Sequence, residues 1–532
     1  MRDVLRDRQQ WGNHAMVSTG SAAATLAALD VLAEGGNAFD AAITASAVLA
    51  VALPMASGPA GDVAAVLHVA GSPHALALTG LGCAPSGATP EAIAARGWPT
   101  VPITGIASAC TPGTIDAWFA LHRAYGSVPL ARLLAPAVEA AQDGLPVTAQ
   151  VARWTADNLS VLTQPAFAEL FAPVAAPTAV GTRLRIPGLA ALYEAISAPG
   201  VRAQDIRALI SDGIAALSRE LGGFFEPEDC LPDRAEIGPA LTATIGNRQV
   251  AVTGAPTQGV LLLQNLALCA RRRIGEIESP AARIHLQSEI FHQTFAWRLS
   301  NLADPRSRQL ADPLDDELLD KLDSAIDPVR RSTTTYAGHY SDGDTQHLAI
   351  MDREGNAVSW TQSLGLGFGS GVGLPDLGLL LSNRLGRSAT INPRQPNCCA
   401  PGRRPVNTIL AWSTSTEHGV DLLGGTPGGD GQCQWGTQVL SALLLEGADP
   451  LSALNRPRWT YLPGADKVEA SFPQQLQVDD STPSAALDEL RGLGYQVRQR
   501  ASVGGAVRLV GRARTSVYGL DDGRQEGLTA GH

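Results

Sequence analysis

The chain has 532 residues, 45% of them hydrophobic and 17% charged, with a formal net charge of -11. That composition supports a large buried core, and an acidic balance with no Lys/Arg-rich run argues against a nucleic-acid partner. The seven cysteines are scattered and show no zinc spacing, so they read as buried or idle thiols in a reducing compartment.

In chain order, the first residues, MRDVLRDRQQWGNHAMV, are polar and mixed in charge. They lack an apolar signal core, so a cytoplasmic protein is expected. Ser21–Glu34 repeats leucine every three residues and stops at Gly35-Gly36, which predicts a helix. A second helix follows over Ala38–Leu53. It belongs to an uncharged run between Asp40 and Asp62 that approaches membrane-spanning length. Pro54, Pro59 and the glycines break that run, so it reads as buried helix and not as a span. Val63–Val69 and Ala75–Leu78 read as strands around a Gly-Ser-Pro turn. Helices follow after Pro112-Gly113-Thr114 and over Val128–Gln142.

Residues 150–330 read as mostly helical, interrupted by a hairpin that turns at Gly246-Asn247. His285 and His292 share a face of one long helix but stand about 10 Å apart along its axis, too far for one metal. They are read as helix surface and core. Residues 326–344 have loop composition. Strands are then expected from Leu348 and from Val358 to Ser363 around a turn at Arg353–Asn356, which folds Ser363 back beside Thr345. Further strands are expected at Leu379–Leu381, Ile409–Trp412 and Val420–Leu423, before the Gly-rich turn GGTPGGDGQ feeds a helix.

The Gly-rich runs match neither GxGxxG nor a GK[ST] phosphate loop, and no GxSxG or HExxH occurs. A different chemistry joins three pieces. Cutting the bond between Asp344 and Thr345 would make Thr345 N-terminal, with its hydroxyl as nucleophile and its own α-amine as base. Ser363 supplies a neighbouring hydroxyl. Gly428 and Gly429 could offer backbone N–H groups to an oxyanion. On pattern alone, a threonine opening a strand is usually just a β-former.

From Met16 to the end the chain resembles the γ-glutamyltransferase family of N-terminal nucleophile hydrolases. The motifs are GGNAFDAA, the segment PGTIDAWFALHRAYGSVPLARLLAPAVEAAQDGLPV, the run TQHLAIMDREGNAVS from Thr345, and then FGSGV, PGRRP and PGGDGQ. The resemblance implies an α+β fold, a four-layer αββα sandwich. It also implies a precursor cut into residues 1–344 and 345–532, with Thr345 the self-cleaving residue and nucleophile. Ser363 takes the place of the family's second hydroxyl, and Gly428 and Gly429 match its oxyanion pair. The implied partners are a small-molecule amide substrate and the protein's own two chains, with room for a homodimer of the processed unit. No cofactor, metal, nucleic acid or membrane is implied.

The departures lie where the family reads glutamate. Leu81 stands where the carboxylate-binding arginine is expected. Asn407 and Thr408 replace paired serines, and Gly365, Arg384 and Arg387 replace the residues that hold the glutamyl amine. The run from SNRLGR to GRRPVNT is similar to a branch that includes oxamate amidohydrolases. The expectation is therefore an amidohydrolase that passes an acyl group from Thr345 to water, on a small carboxylate-bearing amide such as oxamate. The alternatives are a glutathione hydrolase or transpeptidase with a rearranged pocket, and an uncleaved scaffold.

Overall fold

The computed structural model describes residues 9–334, 344–462 and 474–532. Among them are two seven-stranded sheets with every neighbouring pair antiparallel. Their strands are β1 (Gln10–Gly12), β2 (Met16–Thr19), β3 (Asp62–His68), β4 (Leu76–Gly80), β5 (Ala235–Pro239), β6 (Leu241–Ile245), β7 (Arg248–Val252), β8 (Gln346–Met351), β9 (Ala357–Ser363), β10 (Trp412–Thr416), β11 (Gly419–Gly425), β12 (Arg508–Arg512), β13 (Val517–Asp521) and β14 (Leu528–Gly531). One sheet runs β14-β2-β8-β9-β3-β4-β5, the other β1-β13-β12-β11-β10-β7-β6. Each sheet takes strands from both sides of Thr345.

The main helices are α1 (Ala22–Ala33), α2 (Ala38–Ala52), α3 (Thr114–Tyr125), α4 (Leu130–Asp143), α5 (Pro187–Ser197), α6 (Gly259–Arg271), α7 (Pro280–Asn301) and α8 (Gly431–Leu444). Helices α1 to α5 share one core with β8, β9 and β3. Helices α6, α7 and α8 share another with β7, β10 and β12. The result is helix, sheet, sheet, helix, as the family resemblance implies.

Period-two alternation sets what each face does. On β8 and β9, Leu348, Ile350, Val358 and Trp360 enter the helix-side core. Burying such side chains contributes roughly 1.5–3 kcal/mol each. Ala349, Met351 and Ala357 instead pack between the sheets, against Leu423 and Val510. By the same alternation, Thr345, His347, Thr361 and Ser363 belong to the inter-sheet face.

The GGNAFDAA stretch has a local physical reason. Gly35 takes φ +95°, and a Cβ on Gly36 would lie 2.6 Å from Val31. Asn37 then caps α2: its side chain accepts from the Phe39 and Asp40 N–H groups, and Asp40 accepts from the Asn37 N–H. Asp352, just past β8, accepts the Ala38 N–H at 2.9 Å, which ties the helix to the strand that Thr345 opens.

Two expectations need correction. The strand predicted over Ile409–Trp412 begins only at Trp412. The Ile409 and Leu410 N–H groups are taken by the side chains of Asn407 and Gln432 and so cannot join a ladder. His292 and His285 are both buried, so neither is on the surface. They are joined through Tyr495, Glu289 and Ser332 by hydrogen bonds, and the Tyr461 hydroxyl bonds the other nitrogen of His292. Of the predicted loop at 326–344, residues 335–343 lie outside the described residues.

Candidate active site

The β8–β9 register places Gln346 opposite Gln362, so Thr345 falls opposite Ser363. The Thr345 hydroxyl donates to Ser363 Oγ at 3.2 Å, and Ser363 Oγ donates to the Asp344 carbonyl at 2.8 Å. The Gly365 N–H donates to the same Ser363 oxygen at 2.9 Å. One hydroxyl thus bridges the threonine and the carbonyl that precedes it. Both side chains are buried, Thr345 being 1% exposed and Ser363 0%. A proton passing from Thr345 to Ser363 and on to the Asp344 oxygen would accompany attack of Thr345 Oγ on that carbonyl carbon.

His347 lies two residues along the same face. Its Nδ1 is 3.0 Å from the Thr361 hydroxyl, and burial, with Arg508 nearby, pushes its pKa down to about 3. It is a neutral ring at ordinary pH and carries no charge to the site. A Cβ on Gly425 would lie 2.3 Å from His347 Nδ1, so β11 passes the ring only as glycine.

From Gly425 the chain turns through Gly428 (φ +116°) and Gly429 (φ +53°) into α8. A Cβ on Gly428 would lie 2.2 Å from the Trp435 ring. Their carbonyls accept the Gly431 and Gln432 N–H groups. Neither glycine N–H has an acceptor among the described residues, so two adjacent donors remain open at the helix entrance.

The predicted pocket residues gather around a residue that spacing did not reveal, Asp62. It pairs with Ser363 in the β3–β9 register. One Asp62 oxygen accepts the Gly82 N–H at 2.8 Å; the other accepts Arg384 Nε at 3.0 Å and Asn407 Nδ2 at 2.9 Å. The Thr408 hydroxyl accepts Arg387 Nη1 at 2.9 Å and lies 3.4 Å from Arg384 Nη1. Leu81, next to Gly82, packs with Ala64 and Ile409. Arg384 is 0% exposed, and its Nη2 has no partner. Arg387 Nη2 stands 3.8 Å from Asp430, which also binds Gln258 and Arg298. Asp430 directly follows Gly429. The arginines are therefore linked to Thr345 by way of Asp62 and Ser363, and to the glycine turn through Asp430. Gly365 enters through its N–H on Ser363.

Asp62, Asp430, Gln258 and Arg298 were missed from sequence. The signals were that Asp62 ends a long uncharged run at the start of a strand and that Asp430 sits inside the PGGDGQ motif. Among the described residues no group of three or more His, Cys, Asp or Glu is arranged to hold a metal ion. No described helix is long and apolar enough to cross a membrane.

The chain is similar to known proteins over nearly its whole length. The gamma-glutamyltranspeptidase family model matches residues 24–532. An oxamate amidohydrolase proenzyme of Klebsiella pneumoniae is 31% identical, over 98% of each chain. A glutathione hydrolase-like proenzyme of Bacillus subtilis is 29% identical, over 91% of each. The crystal structure of a cephalosporin acylase from Bacillus halodurans superposes with TM-score 0.88 at 27% identity, covering 99% of this chain and 97% of that one.

Proposed function

This chain belongs to the gamma-glutamyltranspeptidase family of N-terminal nucleophile amidohydrolases and acyltransferases, and on that premise we propose that it hydrolyses a small carboxylate-bearing amide, oxamate being the candidate. The precursor is cut between Asp344 and Thr345 into residues 1–344 and 345–532. Thr345 Oγ attacks the Asp344 carbonyl while Ser363 relays the proton to its oxygen. The C–N bond breaks, the acyl group passes to Thr345 as an ester, and water releases Asp344 as a carboxylate. The freed α-amine is then the base for the mature reaction.

In turnover, Thr345 Oγ attacks the substrate amide carbon and passes its proton to the α-amine. The oxyanion takes the open N–H donors of Gly428 and Gly429. The tetrahedral adduct expels ammonia, which carries that proton, and water hydrolyses the oxalyl ester. Ser363 holds the Thr345 hydroxyl before attack and again once water has released the ester.

The observation that carries the substrate class is the buried guanidinium of Arg384, whose Nε is held by Asp62 while its Nη2 has no partner. A buried donor left without an acceptor is costly. A substrate carboxylate would satisfy it, at the Nη2 that no described residue occupies. A glutamyl ammonium finds no free acid here, because both Asp62 oxygens are engaged. Leu81, buried in an apolar cluster, offers no charge on the far side.

The test compares oxamate with a γ-glutamyl anilide on the purified, self-processed protein. Release of ammonia and oxalate at a kcat/KM well above that for the anilide supports the reading. Preference for the γ-glutamyl donor replaces it with a glutathione-hydrolase activity.

A further inference from the structure

Three turns meet at the end of the sandwich away from Thr345: β1–β2 around Asn13, β8–β9 around Arg353, and β12–β13 over Ala513–Ser516. They enclose a cavity of about 170 Å³. Arg353 is eight residues beyond Thr345 along β8, which sets this cavity roughly 25 Å from the nucleophile.

Its accessible wall is mostly polar, and three arginines dominate it: Arg353, Arg512 and Arg514, all exposed. Arg512 reaches from one sheet onto the turn of the other, since a Cβ on Gly355 would lie 3.4 Å from its Nη2. Among the described residues no carboxylate pairs with any of the three. The nearby acids are engaged elsewhere. Asp352 accepts the N–H groups of Ala38, Gly355 and Asn356. Asp421, one residue beyond the paired Leu422 and Gly511, is held by Arg248 and by the Thr414 hydroxyl, each at 2.7 Å. Glu354 is exposed on its turn and is not part of the wall.

Three unpaired guanidiniums around so small a space repel one another, relieved only by water and salt. The chain as a whole has a net charge of -11, so this local surplus of positive charge runs against the rest of the molecule. A bound anion resolves the repulsion. Guanidinium forks take carboxylate or phosphate bidentately. Three forks exceed what one carboxylate engages, whereas a phosphate group offers three strong acceptor oxygens and up to two charges. The Thr515 and Ser516 hydroxyls, also on the wall, add neutral donors. The volume falls below the roughly 300 Å³ at which drug-sized pockets begin, so the ligand is small.

We propose that this cavity binds a small phosphate-bearing anion with two or more negative charges, held by Arg353, Arg512 and Arg514. The site is separate from the cluster around Arg384 and does not depend on the function proposed above.

Pyrophosphate is the probe, titrated by calorimetry into the purified protein at fixed ionic strength. The expected result is one pyrophosphate per chain. Arg512→Gln and Arg514→Gln should each weaken binding by about ten-fold or more. Both side chains are exposed, so these variants keep the fold. Arg498→Gln, which removes an exposed arginine outside this wall, should leave the affinity unchanged, as should Arg384→Lys. Absence of binding at millimolar pyrophosphate overturns the proposal. So does equal weakening by Arg498→Gln and Arg512→Gln, the mark of diffuse charge attraction. Displacement of pyrophosphate by acetate at equal concentration overturns the assignment to phosphate.

Discussion

At Thr345 the account makes a claim about protons. The acid limb of the rate profile should report the α-amine, whose ordinary pKa is about 7.7–8.0. His347, the nearest imidazole along the strand, is already neutral down to about pH 3 and cannot supply that limb. Activity should therefore fall as pH drops through the amine's range, and His347→Gln should not move the midpoint. A profile flat to pH 5 in the wild type would remove the amine as base. Ser363→Ala deletes the bond to the Asp344 carbonyl, so self-cleavage should slow by about ten-fold or more. Replacing Arg384 by an uncharged residue would strand the Asp62 carboxylate, at a cost of about 3–5 kcal/mol. Arg384→Lys is the cleaner change: the charge stays and the fork goes. It should lower kcat/KM on oxamate by roughly one order of magnitude while self-cleavage proceeds, measured side by side on one preparation. The pairing of Thr345 with Ser363 was legible because both lie on one hairpin, where turn position sets register; the roles given to them came from the family resemblance. Asp62 was not legible, since its ion pair with Arg384 spans 322 residues and no local pattern encodes it.

Among the elements, the turn into α8 is the most exacting. Gly428 combines φ +116° with a Trp435 ring 2.2 Å from where a Cβ would stand. Gly428→Ala should displace the open N–H donors and reduce kcat by about 10²–10³-fold, the usual cost of an oxyanion donor. Self-cleavage should persist, because Ser363 and not this turn engages the Asp344 carbonyl. Equal loss of both activities would contradict that division. A helix with a glycine stop and strands around a Gly turn read clearly from sequence, as α1 and the β6–β7 hairpin show. The strand at 409–411 did not materialise, because Asn407 and Gln432 side chains claim its N–H groups. That competition depends on tertiary neighbours, so β-propensity alone could not foresee it.

Over the whole molecule, the layers came from the resemblance more than from periodicity, since which strands neighbour one another is set by contacts far apart in sequence. Buried histidines give a stability prediction. Burial holds His347 at about 3 and His68 and His292 at about 4, all below their ordinary value near 6.5. Between those values the unfolded chain binds protons that the folded chain refuses, so stability must fall as pH falls. Each histidine contributes up to about 1.4 kcal/mol per pH unit in that window. Glu289 and Asp116, whose carboxyls burial pushes up, act in the opposite sense. Burial lowers His285 as well, so four histidines stand against two carboxyls, and Tm should drop steadily from pH 6.5 to 4.5. A constant Tm across that range would show that these rings are not buried neutral.

The central claim is that Thr345 becomes a chain terminus and then the nucleophile. Intact-mass spectrometry of the purified protein tests it most directly. The account predicts two masses, corresponding to residues 1–344 and 345–532, with the smaller chain beginning at Thr345 and a single full-length mass for Thr345→Ala. An uncut wild-type chain that still hydrolyses its substrate, or a cut at any other bond, would contradict it.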